Sequence, residues 1–162
     1  MCIRDRRFPG ENRPAMMAGV ADVNPRELAV AYLSALGRAD LDALLALFTA
    51  GAVVHSPLYG PMPAGDFYAT LLADTAGSQL TLRGVMDGAA VDGMPMVSVW
   101  FTFDWQLAGG TQVSFDVVDV LELADDGRIA ALRIIYDTSG ARPVFEAQTG
   151  RRSWHSGLPA DA

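Results

Sequence analysis

The chain has 162 residues, 51% of them hydrophobic and 19% charged, and a formal net charge of -7. This is the profile of one soluble domain, large enough to close a core around a ligand cavity without staples. Its acidity argues against a nucleic-acid partner, since no basic stripe offsets it. Cys2 is the single cysteine, which excludes an internal disulfide, a cysteine-based zinc site and a CxxC pair. His55 and His155 are the only histidines, and all 12 basic residues are arginines, so histidine-rich metal centres and the Schiff-base chemistry of lysine are also excluded. No metal and no cofactor is expected.

Residues 1–20 carry four of the arginines, show no apolar period and contain Pro and Gly breakers, so they are expected to be a disordered extension. Arg6-Arg7-Phe8 hints at a twin-arginine signal, but Pro9 and Gly10 stand where an apolar h-region would run. A cytoplasmic location with no membrane association is the expectation. The opening MCIRDR resembles a translated sequencing adapter, which would put the natural start at Met16 or Met17. Residues 21–141 form the expected domain and residues 142–162 the expected tail, from which Val144 and Phe145 can tuck back onto the body.

Pro25 stands at a helix-start position, and Leu28, Ala31, Tyr32, Ala35 and Leu36 then recur at three- and four-residue steps as one buried stripe. Asp40 caps a second, shorter helix whose inner face is Leu41, Leu44, Leu45 and Phe48. GAVVHSP is extended chain that Pro57 stops, and a third helix is expected near Asp66 to Ala76. Three runs rich in Val, Ile, Phe and Trp follow, separated by Ala108-Gly109-Gly110 and Asp125-Asp126-Gly127. With no crossover between them they must pair antiparallel. The class is α+β, with three N-terminal helices packed on a curved antiparallel sheet.

Period two in VSFDVVDVLEL puts Val113, Phe115, Val117, Asp119, Leu121 and Leu123 on one face. Asp119 therefore points inward, among apolar neighbours. An acid so placed either stays protonated, and donates a hydrogen bond, or pairs with Arg83, Arg128 or Arg133 as a structural ion pair. The neighbouring runs place Val97, Val99, Phe101, Phe103 and Trp105 on one inner face and Ala130, Leu132, Ile134 and Tyr136 on the other. Tyr32 on its helical stripe and these aromatics suit a flat apolar ligand, and they suit a plain core equally well.

AYLSALGRADLDALLALFTAGAVVHSP and SFDVVDVLELADDGRIAALRIIYD together resemble a ketosteroid isomerase, within the nuclear transport factor 2-like group of cone-shaped α+β folds. The resemblance spans about Pro25 to Asp137. Tyr32 to Leu41 matches the family pattern Y-x-x-A-L-x-x-x-D-L, and Asp116 to Val120 matches D-V-[IV]-D-V, whose second acid is Asp119. In ketosteroid isomerases a tyrosine and a protonated aspartate make an oxyanion hole beside a general-base aspartate. The resemblance thus implies that Tyr32 and Asp119 stabilise an enolate of an apolar ketone, with Tyr136, Phe101, Phe103, Phe115 and Trp105 binding the substrate, in a homodimer.

One position departs. Where the family places its base in V-x-D-P, this chain reads Val54-His55-Ser56-Pro57. Ser56 cannot take a carbon-bound proton unless a neighbour activates it, and strand alternation turns His55 away unless the Pro57 bend redirects it. Asp104 and Asp74 are other inward acids that could serve. Three readings stay open: a ketosteroid isomerase-like isomerase or lyase, a SnoaL-like polyketide cyclase, and a non-catalytic small-molecule binding or dimerisation module. Limonene epoxide hydrolase, which needs an Arg two residues from the strand Asp, does not fit this strand.

Overall fold

The computed structural model describes residues 22–155. Helix α1 (Pro25–Gly37) starts where Asn24 accepts hydrogen bonds from the Arg26 and Glu27 amides and Pro25 takes the first turn. Its buried face is Leu28, Ala29, Tyr32, Leu33, Ala35 and Leu36; Ala31, expected inside, is exposed. The stripe lies slightly to one side of the expected line, because α1 packs against both the sheet and the next helix. Helix α2 (Leu41–Ala46) is capped by Asp40, whose side chain accepts from the Ala43 amide at 3.0 Å. Phe48 is buried as expected, but as the first residue of strand β1 (Phe48–Ser56) rather than the end of α2.

Strand β2 (Gly60–Pro63) folds back on β1, and α3 (Ala64–Ala73) follows, ending three residues before the expected boundary. The 15-residue strand β3 (Thr75–Ala89), absent from the sequence expectation, comes next. Bulges between Thr75 and Gly77 and between Leu82 and Gly84 break its period of two, which hides it from pattern reading. Strands β4 (Pro95–Leu107), β5 (Gln112–Leu123) and β6 (Ile129–Ile135) form the expected antiparallel meander. The sheet order is β2-β1-β6-β5-β4-β3. One pairing departs from the antiparallel expectation: β1 lies parallel to β6, with Val54 opposite Leu132 and His55 opposite Arg133. Helix α3 and the strands on either side of it supply the long crossover that a parallel pair requires.

The result is a mixed α+β fold in which the N-terminal helices cover one face of a curved, unclosed six-stranded sheet. The core lies between them, with Val97, Val99, Phe101, Phe103, Trp105, Val117 and Leu121 buried from the sheet side. The segment expected to be a tail instead forms helix α4 (Ala141–Thr149), and Phe145 tucks onto the body with its side chain buried. Arg142 anchors this end: its guanidinium donates to Pro57 O at 3.2 Å, Thr138 Oγ1 at 3.2 Å and Trp154 O at 2.9 Å. Residues 1–20, expected to be disordered, lie outside the described residues. Among the described residues, no helix is long and apolar enough to cross a membrane.

Candidate functional site

Asp119 sits in the middle of β5, opposite Val99 on β4 and Ile134 on β6, and is 1% exposed. Helix α1 lies across this face and brings Tyr32 to it. The Tyr32 hydroxyl donates to Asp119 Oδ2 at 2.7 Å, and the Tyr68 hydroxyl, from α3, donates to Tyr32 Oη at 3.0 Å. Three elements thus build a buried chain from Tyr68 through Tyr32 to Asp119. The other carboxyl oxygen, Asp119 Oδ1, is buried without a hydrogen-bond partner among the described residues. Such an orphan is expensive as an ionised oxygen.

Burial pushes the Asp119 carboxyl up to about 7, against the opposing pull of the Tyr32 hydrogen bond. The Tyr32 hydroxyl is pushed up by burial and then by the Asp119 charge, and the Tyr68 hydroxyl for the same two reasons. The ion-pair alternative for Asp119 is not what the fold builds. Arg83 bonds Thr102 Oγ1 at 3.0 Å, Arg128 pairs with Asp126 at 2.7 Å, and Arg133 is exposed.

Around Asp119 the fold leaves a cavity lined by Tyr32, Ser56, Phe101, Phe103, Trp105, Phe115 and Tyr136. Of the residues singled out from sequence as site candidates, these and Asp119 face one space, whereas His55, Asp104 and Asp74 do not line it. The space between its walls, counted out to where it opens to solvent, is about 450 Å³. Phe115 and Tyr136 stack at 4.4 Å between ring centres and Phe103 and Trp105 at 5.8 Å, so the walls on the sheet side are nearly continuous aromatic surface. Burial raises the Tyr136 hydroxyl above the usual tyrosine range.

Ser56 is 4% exposed. Its Oγ accepts from the Leu58 and Tyr59 amides, both at 3.2 Å, which makes it the pin of the turn after β1. His55 lies on the opposite face of β1, half-buried beside Arg133, and does not line the cavity; the Pro57 bend comes too late to redirect it. Asp104, weighed as a base, is exposed on the outer face of β4. Asp74, the other, accepts from the Tyr59 hydroxyl at 2.7 Å and pairs with Arg151.

Tyr68, Phe67, Tyr59 and Leu71 line the cavity without having been singled out from sequence. The signal was present for three of them: Ala64, Phe67, Tyr68 and Leu71 recur at helical spacing and are all buried. Tyr59 belongs to a turn, where no periodicity marks an inward side chain.

Residues 29–132 match the family model described as a SnoaL-like domain. Among solved structures, the BvnE pinacolase from Penicillium brevicompactum superposes with a TM-score of 0.60 at 18% identity, over 83% of this chain and 99% of that one. A hypothetical protein with a ketosteroid isomerase-like fold from Catenulispora acidiphila, in complex with trimethylamine, gives a TM-score of 0.59 at 21% identity over 84% and 96%. SalBIII, an epoxide hydrolase/cyclase-like enzyme of pyran ring formation in the polyether salinomycin, gives 0.58 at 18% over 72% and 92%. At these identities the likeness is one of fold. No curated protein matches the chain.

Proposed function

The chain belongs to the SnoaL-like domain family of nuclear transport factor 2-like folds, and from that premise we propose that it is an enzyme of ketosteroid isomerase-like type that stabilises an enolate of a small apolar ketone. The observation that carries the reading is Asp119 Oδ1, a buried oxygen left without a partner among the described residues, on an acid that lines an aromatic-walled cavity. Because Oδ2 already accepts the Tyr32 proton, an Asp119 that is protonated carries its own proton on Oδ1. It then donates to a ligand oxygen on which negative charge develops. Tyr32 holds Asp119 in that orientation, and Tyr68 holds Tyr32, so both act through the acid as positioning residues. Among the residues lining the cavity there is no Arg or His, which favours a neutral ligand over a carboxylate or phosphate.

The cavity has no strong base beside Asp119, and the Ser56 position is where one is missing. Asp119 lies opposite Ile134, and the observed parallel register of β1 on β6 ends at His55 opposite Arg133, one residue before Ser56 and Ile134. Ser56 and Asp119 therefore share a face two strands apart, roughly 10 Å between backbones, with the ligand space between them. An aspartate at position 56 can keep both turn hydrogen bonds that Ser56 accepts. Ser56→Asp is expected to raise isomerisation of a β,γ-unsaturated cyclic ketone by about a hundred- to ten-thousand-fold, the usual worth of a positioned general base. Tyr32→Phe in that background should remove most of the gain. A Ser56→Asp protein that binds the ketone and stays at background rate overturns the enolate reading.

The homodimer belongs to the same proposal. Trp100, Val118 and Ile135 are paired in register across three strands, and Trp100 and Ile135 are exposed large apolar side chains. We propose that a second copy covers that row, and sedimentation velocity tests it.

A further inference from the structure

The hydrogen-bond chain at the cavity floor ends at Asp119, but a second polar pole lies along the helix-side wall. Tyr59, Phe67, Tyr68 and Tyr32 form a line of edge-on rings. The centroid steps are 5.6 Å from Tyr59 to Phe67, 4.9 Å from Phe67 to Tyr68 and 6.5 Å from Tyr68 to Tyr32. Asp119 is bonded at the Tyr32 end. At the other end the Tyr59 hydroxyl donates to Asp74 Oδ2 at 2.7 Å.

Asp74 is also ion-paired with Arg151. The Arg151 guanidinium sits over the Tyr59 ring at 5.8 Å and over the Phe145 ring at 5.4 Å, which holds it in place. A carboxylate held by an arginine has no proton to give, so it can only accept. The Tyr59 hydroxyl spends its proton on Asp74, so a lone pair on its oxygen is what it has left to offer a ligand in the cavity that Tyr59 lines. Ser56 reinforces the arrangement by pinning the Tyr59 amide at 3.2 Å, which fixes where the ring enters the wall.

Building on the ketone-binding reading above, we infer that Tyr59 is a specificity-determining residue whose hydroxyl oxygen accepts a hydrogen bond from a hydroxyl group at the far end of the substrate. The substrate class is then a neutral cyclic ketone that carries a hydroxyl at the end remote from its carbonyl. The two poles have opposite character: the Asp119 end gives a proton to the carbonyl and the Tyr59 end receives one from the hydroxyl. Asp74 and Arg151 act through Tyr59 and set its direction.

Three neutral ketones test this: 6-hydroxy-1-tetralone, its 6-methoxy ether and unsubstituted 1-tetralone, titrated into the full chain with tryptophan fluorescence as the readout, since Trp105 lines the cavity. The hydroxyketone is expected to bind about three- to tenfold more tightly than the ether, the ordinary net worth of one hydrogen bond. Tyr59→Phe, which keeps the ring contacts, should level the two. Asp74→Asn supplies an amide that can donate to Tyr59 and turn its proton toward the cavity, so the preference should swing toward the ether. A hydroxyketone preference that survives Tyr59→Phe overturns the assignment, as does equal binding of all three ketones to the unmodified chain. If in the latter case Ser56→Asp still gains isomerisation, the enolate reading stands without this pole. If no ketone binds, both fall.

Discussion

Replacing Asp119 by asparagine isolates the cost of its buried charge, because the amide copies the protonated acid. In Asp119→Asn the Tyr32 hydroxyl can still donate to the side-chain carbonyl, and the amide N–H₂ takes the place of the proton on Oδ1. In the folded chain the Asp119 carboxyl is raised to about 7 from an ordinary 3.8. A raised acid binds its proton more tightly in the folded than in the unfolded state, so its contribution to stability is fully present below about 4 and is lost as pH rises through about 7. With about 1.4 kcal/mol per pKa unit, the full swing is about 4 kcal/mol, of which about 3 kcal/mol falls between pH 5 and pH 8. The amide does not titrate and has no such dependence. The difference in unfolding free energy between Asp119→Asn and the unmodified chain should therefore move by about 3 kcal/mol in favour of the variant from pH 5 to pH 8, read from urea unfolding curves across that range. Titrations shared by both proteins cancel in the difference. A difference that stays flat from pH 5 to pH 8 would mean that Asp119 is solvated or charge-paired, and the donor role assigned to it would be wrong.

Two further predictions bear on the same architecture. Tyr32→Phe removes the hydrogen bond that lowers the Asp119 carboxyl, so its midpoint should climb above about 7 in a carbon-13 NMR titration; an unchanged or lower midpoint would show that Tyr32 does not support the charged form. Gly60→Ala should lower the melting temperature by several degrees, for a cost of about 1–3 kcal/mol, because Gly60 has φ +80° and an added Cβ would lie 2.7 Å from Trp154 Cδ1; unchanged melting would mean that the Trp154 contact on this turn yields freely.

Much of the fold is legible in local pattern because its central elements obey one period throughout. In β5 the alternation from Val113 to Leu123 holds without interruption, so the inward direction of Asp119 follows from counting residues. The caps at Asn24–Pro25 and Asp40 and the turns before β5 and β6 are written in side-chain chemistry that acts over two or three residues. Strand β3 is different: its bulges reset the alternation twice, it runs along the sheet edge and buries no residue fully, so no local rule exposes it. The parallel contact of β1 with β6 joins residues 78 positions apart, Val54 with Leu132, and a pairing of that span has no local signature.

The site divides along the same line. That Tyr32 and Asp119 are inward on their own elements is a property of each element. That their oxygens meet at 2.7 Å, with Tyr68 behind them and Asp119 Oδ1 left without a partner among the described residues, depends on how α1 and α3 cross the sheet. The division of labour between Asp74 and Asp104 is equally tertiary, since one accepts from a cavity tyrosine and the other faces outward. Periodicity decides which face of its own element a residue takes, because backbone geometry alternates over a few residues. Which faces then come into contact, and which acids are left dry, depends on packing between segments far apart in the chain.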